Sequence, residues 1–325
     1  MKKPTGWLRP RAVIVFTTCI AVVVGLAVTM AGCATWTGRG SLEFVGNVWP
    51  SGVAEDPDFL LYWNQVTPEN AAKWGNAEPS RDEMVWDDLD IAYDFALAND
   101  LPFRIHTLVW GRSQPPWLGR LSDEELRAEL EEWISLLGER YPETDMIDVV
   151  NEPLHVQPPY MWALGGPGET RFDWIVAVFE LARESFPNAE LTLNDFGILE
   201  SEEATAGYLR IVATLKERDL IDAIGVQAHD LEDVPTETIA ANLDRLAEAN
   251  LPIYVTELDL ALEDDAEQAA RMEELVTLFA AHRAVRGITL WGYKEEWIYS
   301  KSAHLLSADG EERPALTWLR EFRGR

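Results

Sequence analysis

Two glutamates carry the chemistry this sequence can do. Glu152 sits in Met146–His155, MIDVVNEPLH, where the apolar run Ile147 to Val150 stops on Asn151, Glu152 and Pro153. A few β-branched residues followed by polar ones read as a buried strand and its carboxyl end. Pro153 removes a backbone donor and ends the ladder. Glu257 has the same setting, with Ile253-Tyr254-Val255 leading into Thr256-Glu257-Leu258-Asp259. Two strands that each end in a carboxyl group can present both to one cleft. Glycoside hydrolysis needs such a pair: one acid protonates the leaving oxygen, and one carboxylate attacks the anomeric carbon or activates water. The other polar residues at strand ends suit the same work. They are Glu69, Asn70, Lys73, His106, Trp110, Asn151, Asn194, Asp195, Gln227, His229 and Asp259, then Trp291 with Trp297 in the loop beyond it. Tryptophan rings are flat apolar platforms for sugar faces, while Asn, Gln, His and Lys bond hydroxyls.

Other chemistries have less behind them. There is no G-x-S-x-G elbow for a serine hydrolase. No HExxH and no close histidine pair is present, so no metal site is expected and no cofactor is implied. Trp7, Trp36, Trp133, Trp174 and Trp318 read as structural or unplaced.

The elements that must position these residues alternate along the chain. Strands are expected at 44–48, 65–67, 102–108, 146–150, 190–193, 223–226, 253–256 and 287–291. Helices are expected at 57–63, 87–99, 122–140, 172–185, 202–218, 236–249, 266–282 and 315–322. In the helix at 87–99, Leu89, Tyr93, Phe95, Ala96 and Leu97 fall largely on one side. The helix at 122–140 carries its own start signal, Ser122 with Glu125 as a capping box, and a buried stripe of Leu126, Leu130, Trp133, Ile134 and Leu137. About eight strands, each followed by a helix, predict an α/β fold of the (β/α)8 TIM-barrel type, with its site at the carboxyl ends of the strands. A doubly wound open sheet is the alternative. It calls for a glycine-rich turn after the first strand, which Phe44-Val45-Gly46-Asn47 does not supply.

Length, charge and cysteines set the bounds. The 325 residues, 47% of them hydrophobic, suit one barrel-sized domain. Lys2, Lys3, Arg9 and Arg11 precede an uncharged apolar run, Ala12 to Met30, and then Ala31-Gly32-Cys33. This reads as an export signal over 1–32 whose end resembles a bacterial lipoprotein box, with Cys33 lipidated; a membrane-spanning anchor is the rival reading. Residues 33–41 form a linker, and 42–325 a single catalytic domain. The protein is accordingly expected outside the cytoplasm, tethered to a membrane at the cell surface or in the periplasm, and monomeric. Cys19 lies in the signal, so the folded domain has neither a disulfide nor a thiol nucleophile. The net charge is −29, or about −33 without the signal's four cations. Nucleic acid is therefore excluded as a partner, because phosphate binding requires basic clusters. A neutral polymer is compatible.

At these residues the sequence resembles glycoside hydrolase family 10, the (β/α)8 endo-β-1,4-xylanases. The resemblance runs from about Phe44 to Phe322 through VTPENAAKW (66–74), HTLVW (106–110), DVVNEP (148–153), LND (193–195), IGVQAH (224–229), VTELD (255–259) and LWG (290–292). It implies xylan or xylo-oligosaccharides as substrate and a retaining double displacement, with Glu152 as acid/base and Glu257 as nucleophile. It further implies that Asn151 contacts the sugar's 2-hydroxyl, that His229 bonds the nucleophile, and that Asp259 steadies His229. Glu69, Asn70, Lys73, His106, Gln227, Trp110, Trp291 and Trp297 would line the sugar subsites. The chain departs from the family pattern at Gly111-Arg112-Ser113-Gln114, at Ile105, at Leu193 and in the loop Tyr293–Leu305. A sugar contact by Gln114 therefore stays open. Related specificities (cellulose, mixed-linkage glucan or aryl xylosides) and a non-catalytic carbohydrate-binding lipoprotein stay open as well.

Overall fold

Eight short strands, rich in β-branched residues, lie side by side and parallel. They are β1 (Phe44–Trp49), β2 (Val66–Pro68), β3 (Arg104–Trp110), β4 (Met146–Asn151), β5 (Glu190–Asp195), β6 (Ala223–Val226), β7 (Ile253–Leu258) and β8 (Val285–Leu290). The computed structural model describes residues 42–323. The expected signal 1–32, Cys33 and the linker 33–41 lie outside the described residues. The pairing order is β2-β1-β8-β7-β6-β5-β4-β3. The ring closes where Val66 bridges Phe103 in parallel and its N–H donates to Pro102 O at 3.0 Å. This is the expected (β/α)8 barrel. Among the described residues no helix is long and apolar enough to cross a membrane.

The helices cover the outside: α1 (Phe59–Tyr62), α2 (Trp74–Ala77), α3 (Asp87–Ala98), α4 (Asp123–Arg140), α5 (Asp173–Ser185), α6 (Glu202–Lys216), α7 (Thr236–Ala247), α8 (Asp265–Ala281) and α9 (Pro314–Arg323). The capping box of α4 is formed, with Ser122 N donating to Glu125 Oε2 at 2.9 Å and Glu125 N to Ser122 Oγ at 3.4 Å. Leu130, Trp133, Ile134 and Leu137 are buried as expected, and Leu126 packs at the edge of the core. On α3, Leu97 is exposed rather than in the stripe, and Ala92 is buried instead. At 100° per residue Ala92 aligns with Leu89, Tyr93 and Ala96, whereas Leu97 lies off that line.

One end of the barrel is plugged. Phe44, Met146, Ala223 and Tyr254, all at or next to a strand's first residue, form a small apolar cluster. Phe44 and Tyr254 stack there at 5.6 Å. The polar residues collect at the other end. β4, β5 and β7 run one or two residues beyond the apolar stretch, through Asn151, through Asn194 and Asp195, and through Glu257 and Leu258, because polar residues there still pair. The ladder continues even past the strand ends: Glu152 N donates to Asn194 O at 2.8 Å, Gln227 N to Asp195 O at 3.0 Å and Glu257 N to Gln227 O at 3.0 Å.

Candidate active site

Glu152 follows the last residue of β4 directly. Its φ of 55° is in the left-handed region, unusual for a residue with a Cβ. In a straight strand, successive side chains point to opposite faces. The turn at Glu152 lets Asn151 and Glu152 both line one cleft. Trp110 Nε1 at the end of β3 donates to Glu152 Oε2 at 2.8 Å. Gln227 Nε2 lies 3.4 Å from Glu152 Oε1 and 3.1 Å from Asn151 Oδ1.

Glu257 lies within β7 and is 4% exposed. Asn194 Nδ2 of β5 donates to its Oε1 at 2.7 Å and to Asn151 Oδ1 at 2.9 Å. Asn194 is held in turn by Thr256, whose hydroxyl donates to Asn194 Oδ1 at 2.7 Å. His229 Nε2 is 3.3 Å from Glu257 Oε2, and His229 Nδ1 is 2.7 Å from Asp259 Oδ1. His106 Nδ1 lies 3.9 Å from Glu257 Oε1 and 3.0 Å from Asp148 Oδ2.

The electrostatics of the two carboxylates differ. Burial alone would raise the Glu257 carboxyl. His106, His229 and Lys73 outweigh it and hold the group at about 2. Burial likewise works against charge on His229, but its bonds to Asp259 and Glu257 lift the imidazole to about 10. His229 is therefore an imidazolium at neutral pH. Burial lowers the Lys73 ammonium, against the pull of Glu257, Glu69 and Glu152. Burial raises Glu69, with Lys73 opposing. Asp195 is pushed up to about 7 by burial, although it accepts from Leu154 N at 3.0 Å and Phe196 N at 2.9 Å. The bond from Leu154 N fastens the turn after Glu152 to the end of β5.

A cleft of about 310 Å³ opens over these groups, lined by Lys73, His106, Trp110, Arg112, Asn151, Glu152, Phe196, Gln227, His229, Asp230, Glu257, Trp291 and Tyr299. Lys73 Nζ bonds Asn70 Oδ1 at 2.8 Å and stands 5.0 Å over the Trp110 ring. Trp291 is set edge-on to His106 at 5.0 Å. Asn194, Asp195 and Asp259 stand behind this lining. Glu69 and Trp297 line a separate small cavity that shares only Trp291 and Tyr299 with the cleft, and Lys294 Nζ sits 4.6 Å over the Trp297 ring. Gln114 turns into its own loop, where its amide nitrogen donates to Trp110 O and Arg112 O.

Phe196, Asp230 and Tyr299 enter the lining without being expected there from the sequence, as does Arg112, which the sequence marks only as a departure from the family pattern. Tyr299 had the least signal, since it lies in an aperiodic loop after β8. Asp230 and Phe196 were findable, each directly following a strand-end residue already marked. Among the described residues the one group of acids close enough to share an ion, Glu78, Asp82 and Glu129, lies away from this lining.

Residues 54–322 match the family described as Glycosyl hydrolase family 10. The chain is 38% identical over 279 residues to endo-1,4-beta-xylanase B of Cellvibrio japonicus, covering 85% of this chain and 45% of that protein. It is 30% identical over 238 residues to anti-sigma-I factor RsgI6 of Acetivibrio thermocellus, covering 72% of this chain and 30% of that one. It thus spans less than half the length of either relative. A solved GH10 structure from Paenibacillus barcinonensis superposes with a TM-score of 0.76 at 25% identity, covering 88% of this chain and 96% of that one. The match extends over nearly all of the barrel, and this chain belongs to glycosyl hydrolase family 10.

Proposed function

We propose that this protein is a retaining endo-1,4-beta-xylanase. The observation that carries the reading is the unequal pair of carboxyl groups in one cleft. Glu257 is buried yet held ionised by His106, His229 and Lys73, with Asn194 donating to it. Glu152 is more open and accepts from the Trp110 indole. A nucleophile must be charged and desolvated, whereas an acid/base must exchange protons with water. In this reading Glu257 attacks the anomeric carbon while Glu152 protonates the leaving glycosidic oxygen. The enzyme ester then forms and the glycosidic bond breaks. Water next attacks the same carbon, Glu152 takes its proton, and Glu257 leaves as carboxylate. Two inversions return the original anomeric configuration. Loss of the Glu257 charge in the ester eases ionisation of Glu152 for the second step.

In this reading Asn151, Gln227, Lys73 and His106 bond sugar hydroxyls, and Trp110 and Trp291 meet sugar faces, which is supported by all six lining the cleft. Xylan is inferred as substrate from the name of the Cellvibrio japonicus relative. The test is hydrolysis of linear xylan with product anomers followed by NMR. The expected result is β-configured product first and, for Glu257→Ala, turnover lower by about 10³-fold or more in a folded protein. α-Configured product would overturn the retaining step, and near-normal turnover in Glu257→Ala would overturn the assignment. A second reading is a barrel that binds glycans without cutting them; it draws on the 30% identity to a protein named as an anti-sigma factor rather than as an enzyme. Binding of xylo-oligosaccharides with no release of reducing sugar supports that one.

A further inference from the structure

Tyr299 stands where the open cleft meets the charged chain behind it. Its ring lines the cleft beside Trp291 and is 64% exposed. Its hydroxyl points inward and donates to Asp259 Oδ2 at 2.7 Å. The other oxygen of that carboxylate is 2.7 Å from His229 Nδ1, and His229 Nε2 is 3.3 Å from Glu257 Oε2. Three successive bonds therefore run from a solvent-facing ring to the buried Glu257 carboxylate. The rings of Tyr299 and His229 are also set edge-on at 6.4 Å.

The loop that carries Tyr299 is anchored on both sides. Before it, Lys294 Nζ bonds Asp56 Oδ1 and Asp58 Oδ2, each at 2.8 Å, and the Tyr293 hydroxyl bonds Asp56 Oδ2 at 2.5 Å. After it, Leu305 N and Leu306 N both donate to Tyr293 O at 2.8 Å. An exposed aromatic ring held this firmly at a cleft wall is poised for use. An apolar face with a polar tip is what a sugar subsite takes from tyrosine.

We propose that Tyr299 is a positioning residue. Its hydroxyl fixes Asp259 and, through it, the His229 imidazole on Glu257, while its ring is a face on which a sugar of the bound chain rests. This rests on the reading of Glu257 as the nucleophile. The two roles are coupled. A sugar lying on the ring removes water from the Tyr299–Asp259 bond, and a hydrogen bond to a carboxylate strengthens as its surroundings dry. The chain of bonds to Glu257 is then tightest when the cleft is filled.

The two roles separate by mutation. Tyr299→Phe keeps the ring and removes the hydroxyl. On linear xylan its kcat should fall about tenfold, the range of one hydrogen bond to a charged group, with KM within about twofold of the parent. Tyr299→Ala removes both, so KM should rise about fivefold or more in addition. In Tyr299→Phe the His229 imidazole resonances should move in 15N NMR while those of His304, which bonds Lys301 O further along the loop, stay. A Tyr299→Phe enzyme with parental kcat and unmoved His229 resonances overturns the positioning role. A Tyr299→Ala enzyme with parental KM overturns the platform. If the unmutated protein releases no sugar from xylan, the function proposed above fails and this inference with it. If it does release sugar, and Tyr299→Phe keeps parental kcat with unmoved His229 resonances while Tyr299→Ala keeps parental KM, only this inference fails.

Discussion

Glu257 keeps its charge in a place where burial argues against it, and His229 does the same. His106 and then His229 hold Glu257 charged, and Asp259 and then Glu257 hold His229 charged, so the pair has a defined pH window. The Glu257 carboxyl is lowered from 4.5 to about 2, so its contribution to stability is complete above 4.5 and is lost as pH falls through 2. The His229 imidazole is raised from 6.5 to about 10, so its contribution is complete below 6.5 and is lost as pH rises through 10. Both are complete only between those two ordinary values. Replacing His229 by Asn should therefore destabilise the protein most near pH 5.5, by on the order of 3 kcal/mol. The deficit should shrink steadily toward pH 9.5. Urea unfolding of both proteins across that range measures it, and a deficit that does not change with pH would show that His229 is not held as an imidazolium. These residues were legible in the sequence because each closes a strand: Glu152, Glu257, Gln227 and His229 follow short apolar runs whose direction is fixed by the fold. Tyr299 was not legible, because its place comes from Lys294 reaching Asp56 and Asp58 more than two hundred residues earlier. No local pattern encodes a contact at that distance. For the same reason Trp297, one of the three tryptophans expected to line the subsites, lies in the neighbouring cavity.

Strands deliver the carboxylates only because the barrel wall leaves room behind them. Asn194 Oδ1, which takes the Thr256 hydroxyl, would sit 2.7 Å from a Cβ on Gly225 of β6, with Leu193 O at 2.9 Å. A methyl group there must displace the carboxamide that holds Glu257 and Asn151 together. Gly225→Ala should accordingly cost about 1–3 kcal/mol and lower kcat as well. Gly207, inside α6, makes a useful contrast. A Cβ there would meet nothing nearer than 3.5 Å, so Gly207→Ala should stabilise by about 0.5–1 kcal/mol and leave catalysis alone. Thermal unfolding and xylan hydrolysis of the two variants side by side decide the matter. If Gly225→Ala behaves like Gly207→Ala, the wall is not what positions Glu257. At this scale the sequence was informative about which elements exist and less so about where they stop. Hydrophobic pattern ends β5 at Leu193 and β7 at Thr256, yet the strands run to Asp195 and Leu258. Asn194 and Glu257 are polar residues inside a ladder, satisfied by one another at the barrel's mouth. A pattern that equates polar with loop must stop short there.

The whole chain carries 56 acidic against 27 basic residues, and that excess must be lived with by the folded state. Many of the bases are already engaged. Arg81 pairs with Glu129, Arg140 with Asp90, Arg183 with Asp222, Lys294 with Asp56 and Asp58, and Arg313 with Asp265. The unpaired acids face water and repel one another, more strongly in the compact barrel than in the expanded chain. Salt screens charges beyond about 10 Å at 0.1 M, which relieves the repulsion while leaving the buried pairs around Glu257 nearly untouched. Raising NaCl from about 0.02 to 0.5 M should therefore raise Tm by a few degrees, since one kcal/mol is worth roughly 2 °C in a chain of this size. Hydrolysis of a neutral xylan should barely respond, because the substrate brings no charge and the Glu257–His229–Asp259 chain is shielded from the bulk. Calorimetry and initial rates over the same salt series measure both. A Tm that falls with salt would mean that surface ion pairs stabilise the barrel more than its net charge disturbs it. A rate that falls with the same slope as the screening of exposed pairs would place the charges that matter to catalysis at the surface, not behind the cleft.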